Sequence, residues 1–326
     1  MLAIIDRIKR HKKKYDITIL IAVYNHEKYL KTAIDSVLAQ DIKCSYEVII
    51  VDDFSTDSSR EMLQQMEPSL PSNYKIIYRD YNYGIVDNYY DAMKNMNSRY
   101  FIVLEADDYW TYPHKIQTQY EFLESHSEYL AVSHLHKTID ADGNSEDMHD
   151  AYEIGQTYGF DDFLKRKLPG HTATLLCRNY FRDKLFDYKI KIGKFAVMDQ
   201  VNAFMLAVHG QTYQIKETWS VYRHVTTGGN SYSTMIKSDL STSRYKNLYK
   251  GCCLYVRKHC MNDVLRNKME HFYIRYLYDH WAANSEDDPV TADEIVSEVE
   301  HIKDNAFGRQ IIKQMVELQL ARSRKE

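Results

Sequence analysis

Glu105, Asp107 and Asp108 crowd the end of one apolar run, YFIVLEADDYW. Like charges this close raise one another's pKa unless a cation neutralises them. Hard divalent cations, Mn2+ or Mg2+, accept carboxylate oxygens and can bridge to phosphate. The same acids would also serve as caps for a helix opening near Pro113, or simply solvate a loop. A second acidic pair, Asp52 and Asp53, closes the run YEVIIVDD. Capping would explain Asp57 and Asp53, whereas a carboxylate here could also accept the ring N–H of a nucleobase.

These groups need a scaffold, and the first 130 residues supply an alternating one. ITILIAVYN, YEVIIVDD, YKIIYRD, YFIVLEADD and YLAVSHLHKTI read as five strands. Between them, EKYLKTAIDSVLAQ, STDSSREMLQQM, IVDNYYDAMKNM and PHKIQTQYEFLESH carry helical spacing or capping residues. Such alternation predicts a mostly parallel sheet with helices on both faces. Ligands of open parallel sheets bind beyond the carboxyl ends of the strands. Tyr24 and Asn25 come after the first strand, Asp52 and Asp53 after the second, and RDYNYG with Gly84 after the third. Acids from two strand ends would then share one crevice. Farther along, HTATLLCRN and QTYQIKETWSVYRHV read as strands, DQVNAFMLAVHG as a helix, and the chain from about residue 236 as helices.

Bulk properties narrow the classes. A hydrophobic content of 44% supports a core, and a net charge of −4 gives no general argument for nucleic acid. No apolar run approaches the ~20 residues of a spanning helix. Cysteines number five and lack metal spacing, as expected in the cytosol; Cys252, Cys253 and Cys260 read as helix packing residues. RIKRHKKK near the N-terminus reads either as a solvated, frayed end or, with MLAII before it, as a peripheral anchor on anionic lipid. Neither G-x-G-x-x-G nor G-x-x-x-x-G-K-[ST] is present, so any diphosphate must be held by metal and side chains. His171, in GHTATLL, is a turn residue or a substrate-loop residue, and Tyr109 and Trp110 wall a sugar pocket or pack beneath the loop.

The pieces ILIAVYNHEKYLKTAIDSVLAQ, YEVIIVDDFSTDSS, NYGIVDNYYDAM and YFIVLEADDYWTYPHKI, in that order over about residues 16 to 126, resemble family 2 glycosyltransferases of the GT-A fold. HTATLLCRN, VMDQVNAFMLA and YRHVTTGGNS continue the likeness more weakly. The resemblance implies an α/β fold with a mostly parallel nucleotide-binding sheet, to which the helical pattern adds a helical C-terminal extension. With the charge at the start, the chain divides into a basic segment at 1–15, a transferase domain at 16–235 and a helical region at 236–326. By that resemblance, Tyr24 lies near base and ribose, Asp53 holds the base with Asp52 alongside, and Asp107 and Asp108 form the metal motif with Glu105 in its first acidic place. Asp199 falls where the family has its general base, and His224 near a position touching metal or diphosphate; as bland readings, Asp199 is a helix cap and His224 a surface histidine.

The implied activity is metal-dependent, inverting transfer of one sugar from a nucleotide sugar, most readily a UDP-sugar, to a glycan or lipid-linked acceptor in surface polysaccharide assembly. The competing class is a non-catalytic nucleotide-sugar-binding or scaffolding protein of the same fold. Two departures stand out. The helix after the third strand lacks the arginine many relatives carry, and no Q-x-x-R-W of the polymerising synthases is present. The expected location is the cytoplasm, with the inner face of the membrane as a peripheral contact.

Overall fold

The structure is a computed structural model that describes residues 14–147, 150–181, 198–225, 244–285 and 289–324. The basic N-terminal stretch and the TTGGNS motif therefore lie outside the described residues, apart from Lys14. Two compact units are formed, one by the chain up to Val225 and one from Arg244 to the last helix.

The first unit is built on a sheet of ten strands. Its path is β3 (Tyr74–Tyr78), β2 (Tyr46–Asp52), β1 (Tyr15–Val23), β4 (Ser98–Glu105), β9 (Leu176–Arg178), β6 (Ala131–Ile139), β10 (Thr212–Arg223) and β5 (Tyr109–Trp110). The short β7 (Ser145–Glu146) pairs with β6, and β8 (Thr157–Tyr158) with β10. Strands β1 to β4 run parallel, as do β6 and β10. β9 runs antiparallel to both its neighbours, β4 and β6. It thus splices two parallel halves, and the residues entering it lie at the same sheet edge as the carboxyl ends of β4 and β6.

Helices α1 (Leu30–Leu38), α2 (Ser59–Met66), α3 (Ile85–Lys94), α4 (Lys115–Ser125), α5 (Phe160–Leu164) and α6 (Met198–His209) flank this sheet. Leu30, Ala33, Ile34 and Val37 recur at helical spacing and are buried with Ile17, Ile19 and Ile21 of β1 and with Ile102 and Leu104 of β4. Each such aliphatic side chain contributes about 1.5–3 kcal/mol on burial. Arg178 staples β9 in place. Its guanidinium donates to the carbonyls of Tyr129, Leu123 and His126 and to the Tyr100 hydroxyl at 2.5–3.2 Å.

The second unit is helical throughout its described residues: α7 (Arg244–His259), α8 (Asp263–Ala283), α9 (Ala292–Glu300) and α10 (Asn305–Ser323). Helix α8 packs on the other three around Leu248, Cys252, Met269, Ile295 and Ile311. Asn262 caps α8 by accepting from the backbone of Val264 at 2.9 Å, and Thr291 with Glu294 forms a capping box on α9. None of the five cysteines forms a disulfide; Cys252 and Cys253 are buried in α7, and Cys260 comes directly after it, half-buried. Among the described residues no helix is long and apolar enough to cross a membrane.

Candidate active site at the strand ends

Register fixes where the acids sit. Val23 of β1 pairs with Asp52 of β2, and Ala22 with Glu105 of β4, so three strands end level with one another. Asp52 is fully buried, and its Oδ2 accepts from Arg60 Nε at 2.5 Å. The Ser55 backbone donates to its Oδ1 at 3.2 Å. Asp52 is thereby committed to holding the loop between β2 and α2.

Asp53, also buried, accepts from the backbone N–H groups of Tyr83 at 2.8 Å and Gly84 at 3.0 Å. Burial pushes its pKa up, and the two N–H donors oppose that rise. Each oxygen keeps a second lone pair for a ligand. Gly84 precedes α3 with φ +76°, a conformation that only glycine adopts without strain. Arg79, at the end of β3, binds α3 through Asn88 at 3.0 Å and Asp91 at 2.8 Å, and its charge reaches Asp53. A cation thus does serve this corner, although α3 itself carries no arginine.

The fourth strand end holds the densest charge. Glu105 accepts from the Tyr89 hydroxyl at 2.8 Å through Oε1, while its Oε2 is buried with no hydrogen-bond partner. Asp108 is 1% exposed; Oδ1 accepts from the Arg223 backbone at 2.8 Å, and Oδ2 is again buried with no hydrogen-bond partner. His171, at the entry to β9, brings Nδ1 to 3.5 Å from that Oδ2. One ligand atom from each of Glu105, Asp108 and His171 lies within 4.8 Å of the other two. Burial, with Asp107 adding to it, pushes Glu105 up to about 7. The same causes, burial first, hold Asp108 well above the usual carboxylate range. Burial also holds His171 well below the imidazole range, with His136 adding to the effect, so it is neutral. Two orphaned carboxylate oxygens and a neutral imidazole converging in a buried place fit a divalent cation by donor type. Without one, the carboxylates relieve the crowding by taking up protons.

The remaining expected residues lie outside this three-residue convergence. Asp107 sits half-buried, 3.8 Å from His26 Nε2. Asn25 spends its side chain on the loop after β2, accepting from Thr56 at 2.7 Å. Tyr24 is half-buried at the end of β1. Trp110 is 4% exposed, donates from Nε1 to the Ala173 carbonyl at 2.9 Å and stacks under the Lys115 ammonium. It packs beneath the loop. His224 points Nδ1 at Glu146, 3.0 Å away on β7. Asp199 occupies the first turn of α6, where its Oδ1 accepts from the Gln200 backbone at 2.8 Å. Its charge contributes to the rise at Glu105, which places it within electrostatic reach of the cluster.

Sequence reasoning missed Tyr89, His26, Arg223 and the ring cluster of His136, Tyr152 and Tyr222 around His171. Reading one residue further past β1, and reading the end of β10, would have found His26 and Arg223. Tyr89 lies inside a helix, and nothing in the local pattern marks it.

Comparison with known proteins bears on family and fold. The profile described as glycosyl transferase family 2 matches residues 18–188. An uncharacterized protein of Mycobacterium bovis is 28% identical over 200 residues, 61% of this chain and 56% of that one. The Escherichia coli UDP-Glc:alpha-D-GlcNAc-diphosphoundecaprenol beta-1,3-glucosyltransferase WfaP is 31% identical over 122 residues, 37% of this chain and 46% of that one. The chain thus spans only about half the length of these curated relatives. Staphylococcus aureus TarS with UDP-GlcNAc superposes with a TM-score of 0.61 at 14% identity, over 87% of this chain and 79% of that one. The Pyrobaculum calidifontis mannosyltransferase PcManGT with GDP-Man and Mn2+ gives 0.54 at 12% identity, over 97% and 86%. These structural likenesses speak to the fold alone, which is the expected GT-A architecture. With just over half its length matched by the family profile, the chain belongs to glycosyl transferase family 2.

Proposed function

We propose that this chain transfers a single sugar, with inversion, from a nucleotide-sugar donor to a glycan or lipid-linked acceptor in surface polysaccharide assembly, with Mn2+ or Mg2+ as cofactor and a UDP-sugar as the favoured donor. The observation that carries the reading is the convergence of half-buried Glu105 with buried Asp108 and His171 at strand ends that also present Asp53. A relative named for UDP-glucose transfer, and a neighbouring structure with UDP-GlcNAc, support the donor class.

Glu105, Asp108 and His171 would hold the cation, with Asp107 beside them. When bound, it supplies positive charge where the leaving diphosphate becomes negative. Tyr89 fixes one oxygen of Glu105 so that the other stays directed. Asp53 and the loop it pins, Tyr83–Gly84, would receive the base, with Tyr24 near the ribose. Asp199 takes the proton of the acceptor hydroxyl. The acceptor oxygen then forms its bond to the anomeric carbon as the bond from that carbon to the diphosphate oxygen breaks, the electron pair leaving with the diphosphate. One displacement inverts the centre and needs no covalent nucleophile. In this reading residues 16–235 carry the chemistry, the helical region at 236–326 docks acceptor, membrane or partner, and the basic residues of 1–15 contact anionic lipid.

Calorimetry with UDP and GDP, with and without Mn2+, tests the reading: metal-dependent binding of one nucleoside diphosphate is expected, and no binding under any condition overturns it. Asp199→Asn should keep donor affinity while transfer falls by about 10²–10⁴-fold. Unchanged transfer would leave Asp199 as a helix cap only.

A further inference from the structure

One residue beside Asp53 has a conformation at odds with its type. Phe54 has φ +64°. Bulky side chains are outliers in this left-handed region, which suits glycine and tolerates asparagine. Four non-glycine residues adopt positive φ among those described: Asn25, Phe54, Arg166 and Asn284. Phe54 is the aromatic one. Its neighbours leave it no escape. The Asp53 backbone donates to the Val23 carbonyl at 2.9 Å, and the Ser55 backbone to Asp52 Oδ1 at 3.2 Å. The Asn25 backbone donates to Ser55 Oγ at 3.1 Å, and Thr56 donates back to the Asn25 side chain at 2.7 Å. The turn from β2 to α2 therefore demands this backbone whatever residue stands there.

Much of the ring still faces solvent, since Phe54 remains 41% exposed. The Arg60 guanidinium lies 5.4 Å from the ring centroid and is itself locked on buried Asp52 at 2.5 Å. An aromatic ring backed by an immobilised cation is a rigid platform. The other exposed aromatic at this corner, Tyr81, stacks on Tyr83 with centroids 4.6 Å apart. Strain held at one position by its surroundings clusters at ligand sites, and a flat apolar ring next to a carboxylate is what a purine or pyrimidine needs: a face to stack on and an acceptor for its edge.

Resting on the proposed nucleotide-sugar reading, we infer that Phe54 is the stacking platform for the donor's nucleobase. Asp53 reads the edge of the base, and Phe54 covers its face.

The test uses the full chain and the variants Phe54→Gly, Phe54→Ala and Phe54→Tyr, titrated with UDP, GDP and inorganic diphosphate in Mn2+. Loss of a base–aromatic stack should weaken nucleoside diphosphate binding about tenfold in both the glycine and alanine variants. Tyrosine should retain the affinity, and inorganic diphosphate should bind all four proteins alike. The glycine variant should melt about 2 °C or more above the alanine variant, because both lack the ring and glycine alone relieves the backbone. If the wild type binds nucleotide and the ring-less variants match it, the platform is wrong while the transferase reading stands. Equal losses for inorganic diphosphate would also overturn it, since the lesion would then not lie at the base. If the wild type binds no nucleotide, the functional reading falls and takes this inference with it.

Discussion

Glu105→Gln in metal-free buffer isolates the electrostatics of the site. In the folded chain Glu105 titrates near 7 in place of its ordinary 4.5. A carboxyl whose folded pKa is raised contributes stability that is full below the unfolded value and is lost as pH rises through the folded one. The rise corresponds to about 3 kcal/mol at ~1.36 kcal/mol per pH unit. The groups that bear on it are Asp107, Asp199 and Tyr89, with Asp108 sharing the cluster, so the midpoint measured belongs to the set. Glutamine keeps the shape and never ionises. Wild type without metal should therefore lose about 3 kcal/mol relative to Glu105→Gln between pH 4.5 and pH 8, or ~5–10 °C in melting temperature. The readout is the difference between the two melting curves, because other carboxylates titrate in both proteins. Saturating Mn2+ at pH 8 should restore most of the loss in wild type and much less in the variant. A difference that stays constant from pH 5 to pH 8 refutes the reasoning, for it would mean that Glu105 is charged throughout and that its neighbours do not crowd it.

Arg60→Met should destabilise the fold by about 3 kcal/mol, read as a lower urea midpoint, since it strands the fully buried Asp52 carboxylate with only the Ser55 N–H. An unchanged midpoint would mean that water replaces the guanidinium. Trp110→Phe should cost about 2 kcal/mol through the lost bond to Ala173 while leaving UDP affinity unaltered. Weakened UDP binding at full stability would restore Trp110 to the pocket wall.

The strands and helices of the first 130 residues were legible because apolar periodicity and strand-end acids are local signals. The direction of a strand is not local. HTATLLCRN reads as a strand, yet only Leu176–Arg178 joins the ladder, and it runs against both neighbours. A search confined to the residues after each strand then misleads. In a reversed strand the residue that reaches the crevice comes before it, and that residue is His171. The hairpin that brings Glu146 to His224 depends on β7 folding back over β6, which two exposed residues do not announce. Trp110 had two readings because burial is decided by the partner strand, and β5 finds that partner more than a hundred residues later in β10.

The splice at β9 has an evolutionary consequence. Residues 140–175 run from the end of β6 to the start of β9 and touch the ladder between them through the two-residue β7 on β6 and β8 on β10. A lineage could lengthen, shorten or rewrite the stretches around those two short strands while the parallel halves stay paired, and each revision next to β9 would re-aim the imidazole facing Asp108. Asp52, Asp53 and Glu105 end, or directly follow, strands that cannot be edited so cheaply. Variation among this chain's relatives should therefore accumulate in this excursion, while the strand ends drift slowly.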